Sequence, residues 1–122
     1  MKRASRHRPE RLAALIHETL AEGLAREVKD PRVGFVTVTG VQVTPDGAHA
    51  VVRVSVLGEE ADKQRAVEGL DSARGFLRSL LAKRLALRIA PELRFQLDRS
   101  LEHARKIDQI LDQLKQDTDP AE

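Results

Sequence analysis

Residues that exchange protons, attack carbonyls or hold metals are few in this chain of 122 residues. It has no cysteine, which removes disulfides, thiolate metal sites and thiol nucleophiles. Its four histidines are His7, His17, His49 and His103. His17-Glu18 opens the helical pattern of a zinc protease, but Ala21 stands where a second histidine would complete the ligand pair. No glycine-flanked serine elbow occurs, and no glycine loop ending in lysine to cradle phosphate. The carboxylates are scattered along helical stretches, and Asp46 belongs to a turn, where aspartate bonds its own backbone. With no nucleophile, base and orienting group in company, the chain reads as a non-enzyme with no catalytic residue, no metal and no cofactor.

Arginine is plentiful. Fifteen of the 21 cationic residues are arginine, whose planar fork suits phosphate better than the point charge of lysine. The net charge of +2 hides an uneven distribution: +4 over residues 1–11, −4 over 12–71, +6 over 72–106 and −4 over 107–122. Two basic segments in a nearly neutral chain suggest a polyanionic partner. Aromatics number three phenylalanines, with no tyrosine or tryptophan. Phe35, Phe76 and Phe95 all fall in apolar patterns, so they are expected in the core and not stacked on bases. Recognition would then rest on the phosphate backbone and on shape.

One stretch concentrates this chemistry: "DSARGFLRSLLAKRL", residues 71–85. Leu77, Leu80, Leu81 and Leu85, with Leu70 before them, have helical spacing. Gly75 sits among them although glycine costs a helix about 1 kcal/mol relative to alanine. Arg74, Arg78 and Lys83 surround it. Either the glycine permits a bend that admits a nucleic-acid backbone, or it allows close packing on a neighbouring helix; the charge favours the first.

The elements that must position this stretch are legible on either side. Residues 1–8 are polar and basic and are expected to form a flexible leader. Pro9 suits the first position of a helix, and Leu12, Leu15, Ile16, Leu20, Leu24 and Val28 recur at helical steps up to Asp30-Pro31. Residues 35–43 alternate as a strand, with a phase slip at Gly40 that reads as a bulge. Thr44-Pro45-Asp46-Gly47 is a turn. Ala50, Val52, Val54 and Val56 then form the buried side of a second strand. Residues 58–62 read as an acidic loop, and a helix is predicted from about Lys63 through Gly75 to about Arg88. Leu93, Phe95 and Leu97 mark a third strand. Ser100 is placed to cap a last helix with Leu101, Ala104, Ile107, Ile110, Leu111 and Leu114 on one face. Residues 117–122 form an acidic tail.

These elements predict an α+β fold, a three-stranded sheet with helices on one face, and a single domain over 1–116. The order α-β-β-α-(kink)-α-β with a C-terminal helix matches the type II KH arrangement. There a Gly-x-x-Gly loop between two helices admits the nucleic-acid backbone. Here the place is held by Ser72-Ala73-Arg74-Gly75, so a kinked helix is expected instead of an open loop. A helix-turn-helix DNA-binding regulator built on residues 63–88 is the alternative, disfavoured because one glycine is less than the turn that motif needs. A helix-dimerising module is a further rival. It is disfavoured because the leucines are expected to be spent on the sheet, leaving little apolar surface.

Four segments taken in order resemble ribosome-binding factor A, a family of bacterial small-subunit assembly factors. They are "DPR" at residues 30–32, "VTVTGVQVTPDGAHAVVRVSVLG", "SARGFLRSLLAKRLALR" and "PELRFQLDRSLEHARKIDQIL". The resemblance implies a KH-like domain whose Gly-x-x-Gly is replaced by an Ala-x-Gly kink, which Ala73, Arg74 and Gly75 match. It implies binding to the immature small ribosomal subunit and its rRNA near the decoding region, and not to complete ribosomes. It also implies help in late rRNA maturation and processing, growth in the cold, and departure when a ribosome-associated GTPase acts. On these grounds the expected RNA-binding residues are Arg3, Arg6, Arg8 and Arg11 in the leader, with Ala73, Arg74, Gly75, Arg78, Lys83, Arg84 and Arg88 along the helices. Arg84 and Arg88, four apart, would share a face unless Arg88 caps the helix. The protein is expected to be cytoplasmic and monomeric, without a membrane partner.

Overall fold

The computed structural model describes residues 8–26, 28, 31–33 and 35–118. Helix α1 (Pro9–Arg26) starts at the proline, whose missing N–H costs nothing in a first turn. It buries Leu12, Ile16, Leu20 and Leu24 at three- and four-residue steps. Strands β1 (Val36–Val43) and β2 (His49–Val56) form an antiparallel hairpin. In its turn the Gly47 N–H donates to the Thr44 carbonyl at 2.8 Å, and Gly47 takes a φ of +73° that suits glycine. The pairing shifts between Val38 and Gly40, so Thr39 is the extra residue of a bulge. The slip moves β1 from one buried phase at Val38 to the other at Val43.

Strand β3 (Glu92–Leu97) lies parallel to β2, giving the order β1-β2-β3. Ala50, Val52 and Val54 stand opposite Leu93, Phe95 and Leu97, which aligns the apolar residues of both strands on one face. A parallel neighbour needs a crossover, supplied here by α2 (Glu60–Ser72) and α3 (Arg74–Arg84). Leu70, Leu77 and Leu81 from this pair are fully buried with Ile16 and Leu20 of α1 and Val52 and Val54 of β2. Three helices thus cover one face of the sheet. On the other face, β2 presents His49, Val51, Arg53 and Ser55, exposed or half-buried.

Several boundaries differ from the sequence expectation. Helix α2 begins at Glu60, inside the expected acidic loop, because the Asp62 carboxylate turns back to accept the Glu59 N–H at 2.9 Å. The Asp62 carboxylate lies so close under Gly58 that a Cβ there would meet it at 2.7 Å. The helix pair breaks at Ala73, not at Gly75: Ala73 has φ −89° and ψ 2°, and its N–H is shared by the carbonyls of Gly69 and Leu70. Gly75 lies inside the first turn of α3. Helix α3 stops at Arg84, not near Arg88. The Leu87 N–H closes back on the Ala82 carbonyl at 2.9 Å while Ala86 takes a left-handed φ of +54°.

Helix α4 (Ser100–Thr118) departs most from expectation. Ser100 is already helical, and it is Asp98 that accepts from both the Ser100 N–H and hydroxyl. The apolar face is present, yet Ile107, Ile110, Leu111 and Leu114 are all exposed. Helix α4 therefore does not join the layer on the sheet. Its base is pinned: Arg99 reaches Glu60 at 2.5 Å and Lys63 reaches Glu102 at 2.9 Å. The expectation that little apolar surface would remain is corrected by this helix and by exposed Phe35, Leu57, Phe76 and Ile89. Of the three phenylalanines, only Phe95 is buried. Periodicity reveals an apolar face but cannot say whether anything covers it.

Candidate nucleic-acid interface

The junction of α2 and α3 brings Ala73, Arg74, Gly75 and Arg78 within about one turn and a half of helix. Leu77 and Leu81 turn inward, which sends Gly75, Arg78, Ser79 and Lys83 outward, all of them exposed. An added Cβ at Gly75 would meet nothing within 4 Å. Among the described residues there is therefore no close approach to a neighbouring helix that would explain this glycine. That role falls to Gly23 of α1, where a Cβ would meet a Leu80 methyl at 2.7 Å.

The cations around the junction are not equivalent. Arg74, Lys83 and Arg88 form no ion pair with any described residue. Arg78 is half engaged: its Nε donates to the Ala90 carbonyl at 3.0 Å and holds the loop entering β3, and no carboxylate among the described residues pairs with it. Arg84 is engaged with Glu22 at 2.8 Å, tying α3 to α1. Arg88 lies beyond the helix end, so it neither shares a helical face with Arg84 nor caps α3. Arg8, just before α1, and Arg11 in its first turn are exposed, Arg11 about 16 Å of helix rise from Glu22, the residue that meets α3. Arg3 and Arg6 lie outside the described residues.

The apolar neighbours of Phe76 predict a core position, yet the residue is 51% exposed beside Gly75. Its spacing carried the signal, because it sits one residue off the Leu70, Leu77 and Leu81 stripe. The depressed carboxyls lie elsewhere. The Arg99 hydrogen bond holds Glu60 down to about 2, and Ser100 and Thr39 hold Asp98 down to about 2. Both support the base of α4. No cluster able to hold a metal ion occurs among the described residues, nor any helix long and apolar enough to cross a membrane.

Fold and surface together define a small α+β binding protein that presents cations with no ion pair among the described residues around a bare stretch of helix. A family model for ribosome-binding factor A matches residues 8–111, and the chain belongs to that family of binding factors. It is 44% identical over 108 residues to ribosome-binding factor A of Desulforamulus reducens, covering 88% of this chain and 90% of the relative. The Thermomicrobium roseum protein is 45% identical, over 91% of this chain and 86% of its own length. The crystal structure of ribosome-binding factor A from Thermus thermophilus superposes with a TM-score of 0.68 at 32% identity, over 75% of this chain and 97% of that one. A homology model of Thermus thermophilus ribosome-binding factor A, fitted into the cryo-EM map of its complex with 30S, gives a TM-score of 0.61 at 32% identity, over 71% of this chain and 91% of that one.

Proposed function

We propose that this chain binds the immature small ribosomal subunit through the phosphate backbone of its rRNA, and assists late maturation by binding alone. The reading rests on one observation above others. The helix junction exposes Arg74, without an ion pair among the described residues, beside Gly75, where an added Cβ would meet none of those residues within 4 Å. A bare helical surface lets a ribose-phosphate chain come close, and an unpaired guanidinium is ready to hold it. The 30S complex of the Thermus relative supports the same partner.

In this reading the fold is KH-like of type II, supported by the hairpin, the helix pair and the parallel β2–β3 pairing. The Ala73-Arg74-Gly75 kink stands in for the Gly-x-x-Gly loop. Arg74, Arg78 and Lys83 carry most of the contact, with Arg88 beyond the helix end and the leader residues Arg3, Arg6, Arg8 and Arg11 as a second basic arm. Arg84 contributes less, because Glu22 already satisfies it. Support of rRNA processing and growth in the cold, release prompted by a ribosome-associated GTPase, a monomeric state and a cytoplasmic location belong to the same reading. The helix-turn-helix alternative gains nothing from a junction one residue long.

Sedimentation tests it. Arg74→Glu is expected to remove co-migration with free small subunits while leaving the thermal melt unchanged. Arg78→Glu is the poorer probe, because it also breaks the bond to Ala90. A charge-reversed Arg74 that still co-migrates at the parent level overturns the assignment of this surface.

A further inference from the structure

Phe76 is the observation that phosphate binding leaves unexplained. The core under α3 is already closed by Leu77 and Leu81, both at 0% exposure, and the sheet receives its aromatic from Phe95. A ring one position off that stripe, half in solvent, adds little to packing. Its surroundings are specific. Ser79 and Lys83 lie three and seven residues on, along the same side of α3, and Gly75 precedes it with open space in place of a side chain. Arg78, three residues after Gly75, borders the bare strip from the other side. The exposed surface of α3 is thus a smooth track of Gly75 and Ser79, with an aromatic ring and Lys83 along one edge and a guanidinium along the other.

A nucleotide is amphiphilic in the same way, with an anionic backbone and a flat π-face. We infer that Phe76 is a stacking platform for one unpaired rRNA base, whose flanking phosphates are held by Arg74 and Arg78. This deepens the function proposed above and rests on it. The charge of the surroundings selects the occupant. An apolar protein surface would gain from the ring but would have to desolvate three cations within two turns of it, whereas nucleic acid uses both. The ring supplies affinity tolerant of base identity, because every base has a π-face.

Binding to deproteinised small-subunit rRNA and to intact small subunits, measured across a salt series, tests the inference. Phe76→Leu keeps apolar bulk and removes the π-face. It is expected to weaken binding to the bare rRNA roughly 5- to 150-fold. The slope of log affinity against log salt should stay as in the parent. Phe76→Tyr keeps the ring and is expected to bind within about threefold of the parent. Arg74→Ala, run alongside, is expected to lower the salt slope by about one. Parent-like affinity of Phe76→Leu overturns the stack, as does equal loss in the leucine and tyrosine variants. A loss confined to intact subunits also overturns it, since the ring would then dock on a ribosomal protein. If Phe76→Leu is silent while Arg74→Ala still acts, only the stack falls. If both are silent, the proposed interface falls with it.

Discussion

At Gly75 an alanine would fit, and at Ala86 a glycine would fit better. Gly75 is helical with open space where a Cβ would stand, so on folding grounds alone alanine is the better residue by up to about 1 kcal/mol. Ala86 carries a φ of +54° at the end of α3, in the position that glycine fills without strain. Gly75→Ala and Ala86→Gly are both expected to raise the melting temperature by a few degrees, read by calorimetry. Only Gly75→Ala should weaken association with small subunits, because only it places an atom on the proposed track. A Gly75→Ala protein that is less stable would show the glycine to be structural after all.

Among the elements, α4 depends on its base. Arg99, first by its hydrogen bond, holds the Glu60 carboxyl at about 2 against an ordinary 4.5. A carboxylate whose pKa is depressed on folding stabilises the fold above its unfolded value and loses that contribution as pH falls through its folded value. The contact is therefore complete above pH 4.5 and lost as pH falls toward about 2. Asp98, held down to about 2 chiefly by Ser100, follows the same course from 3.8. Amide protection in α4 just beyond its first turn, taken relative to the intrinsic exchange rate at each pH, should stay high at pH 5 and fall as pH approaches 2, with the core helices lagging. Glu60→Gln should bring that loss of protection to neutral pH. Equal protection of α4 in both proteins at neutral pH would show the pair to be idle, as many exposed pairs are. Periodicity made the helices and strands legible: β2 buries every second residue, as its sequence alternates. The junction was not legible at Ala73, because nothing in an alanine announces a φ of −89° and a ψ of 2°. The end of α3 was hidden in the same way, since a left-handed turn is normally signalled by glycine and here uses Ala86.

Over the molecule, the two basic segments predict a salt-dependent partner, but the fold sorts the described cations into those with an ion pair and those with none among the described residues. Arg74→Ala and Lys83→Ala together should lower the salt slope of rRNA binding by about two. Arg84→Ala should leave that slope near the parent value, because Glu22 already satisfies its charge. A slope change at Arg84 equal to that at Arg74 would mean the ion pair opens on binding and the sorting is wrong. The amino-acid sequence by itself determined the element order, the bulge beside Gly40, the buried sides of α1, β2 and β3, and the clustering of arginine around Gly75. These follow from local rules: side-chain period, turn residues and charge along the chain. Tertiary structure alone decided that β3 pairs parallel to β2, that Arg84 meets Glu22, that Phe76 faces solvent and that Ile107, Ile110, Leu111 and Leu114 of α4 stay exposed. Each depends on which groups distant in the chain come into contact, and no local pattern records that.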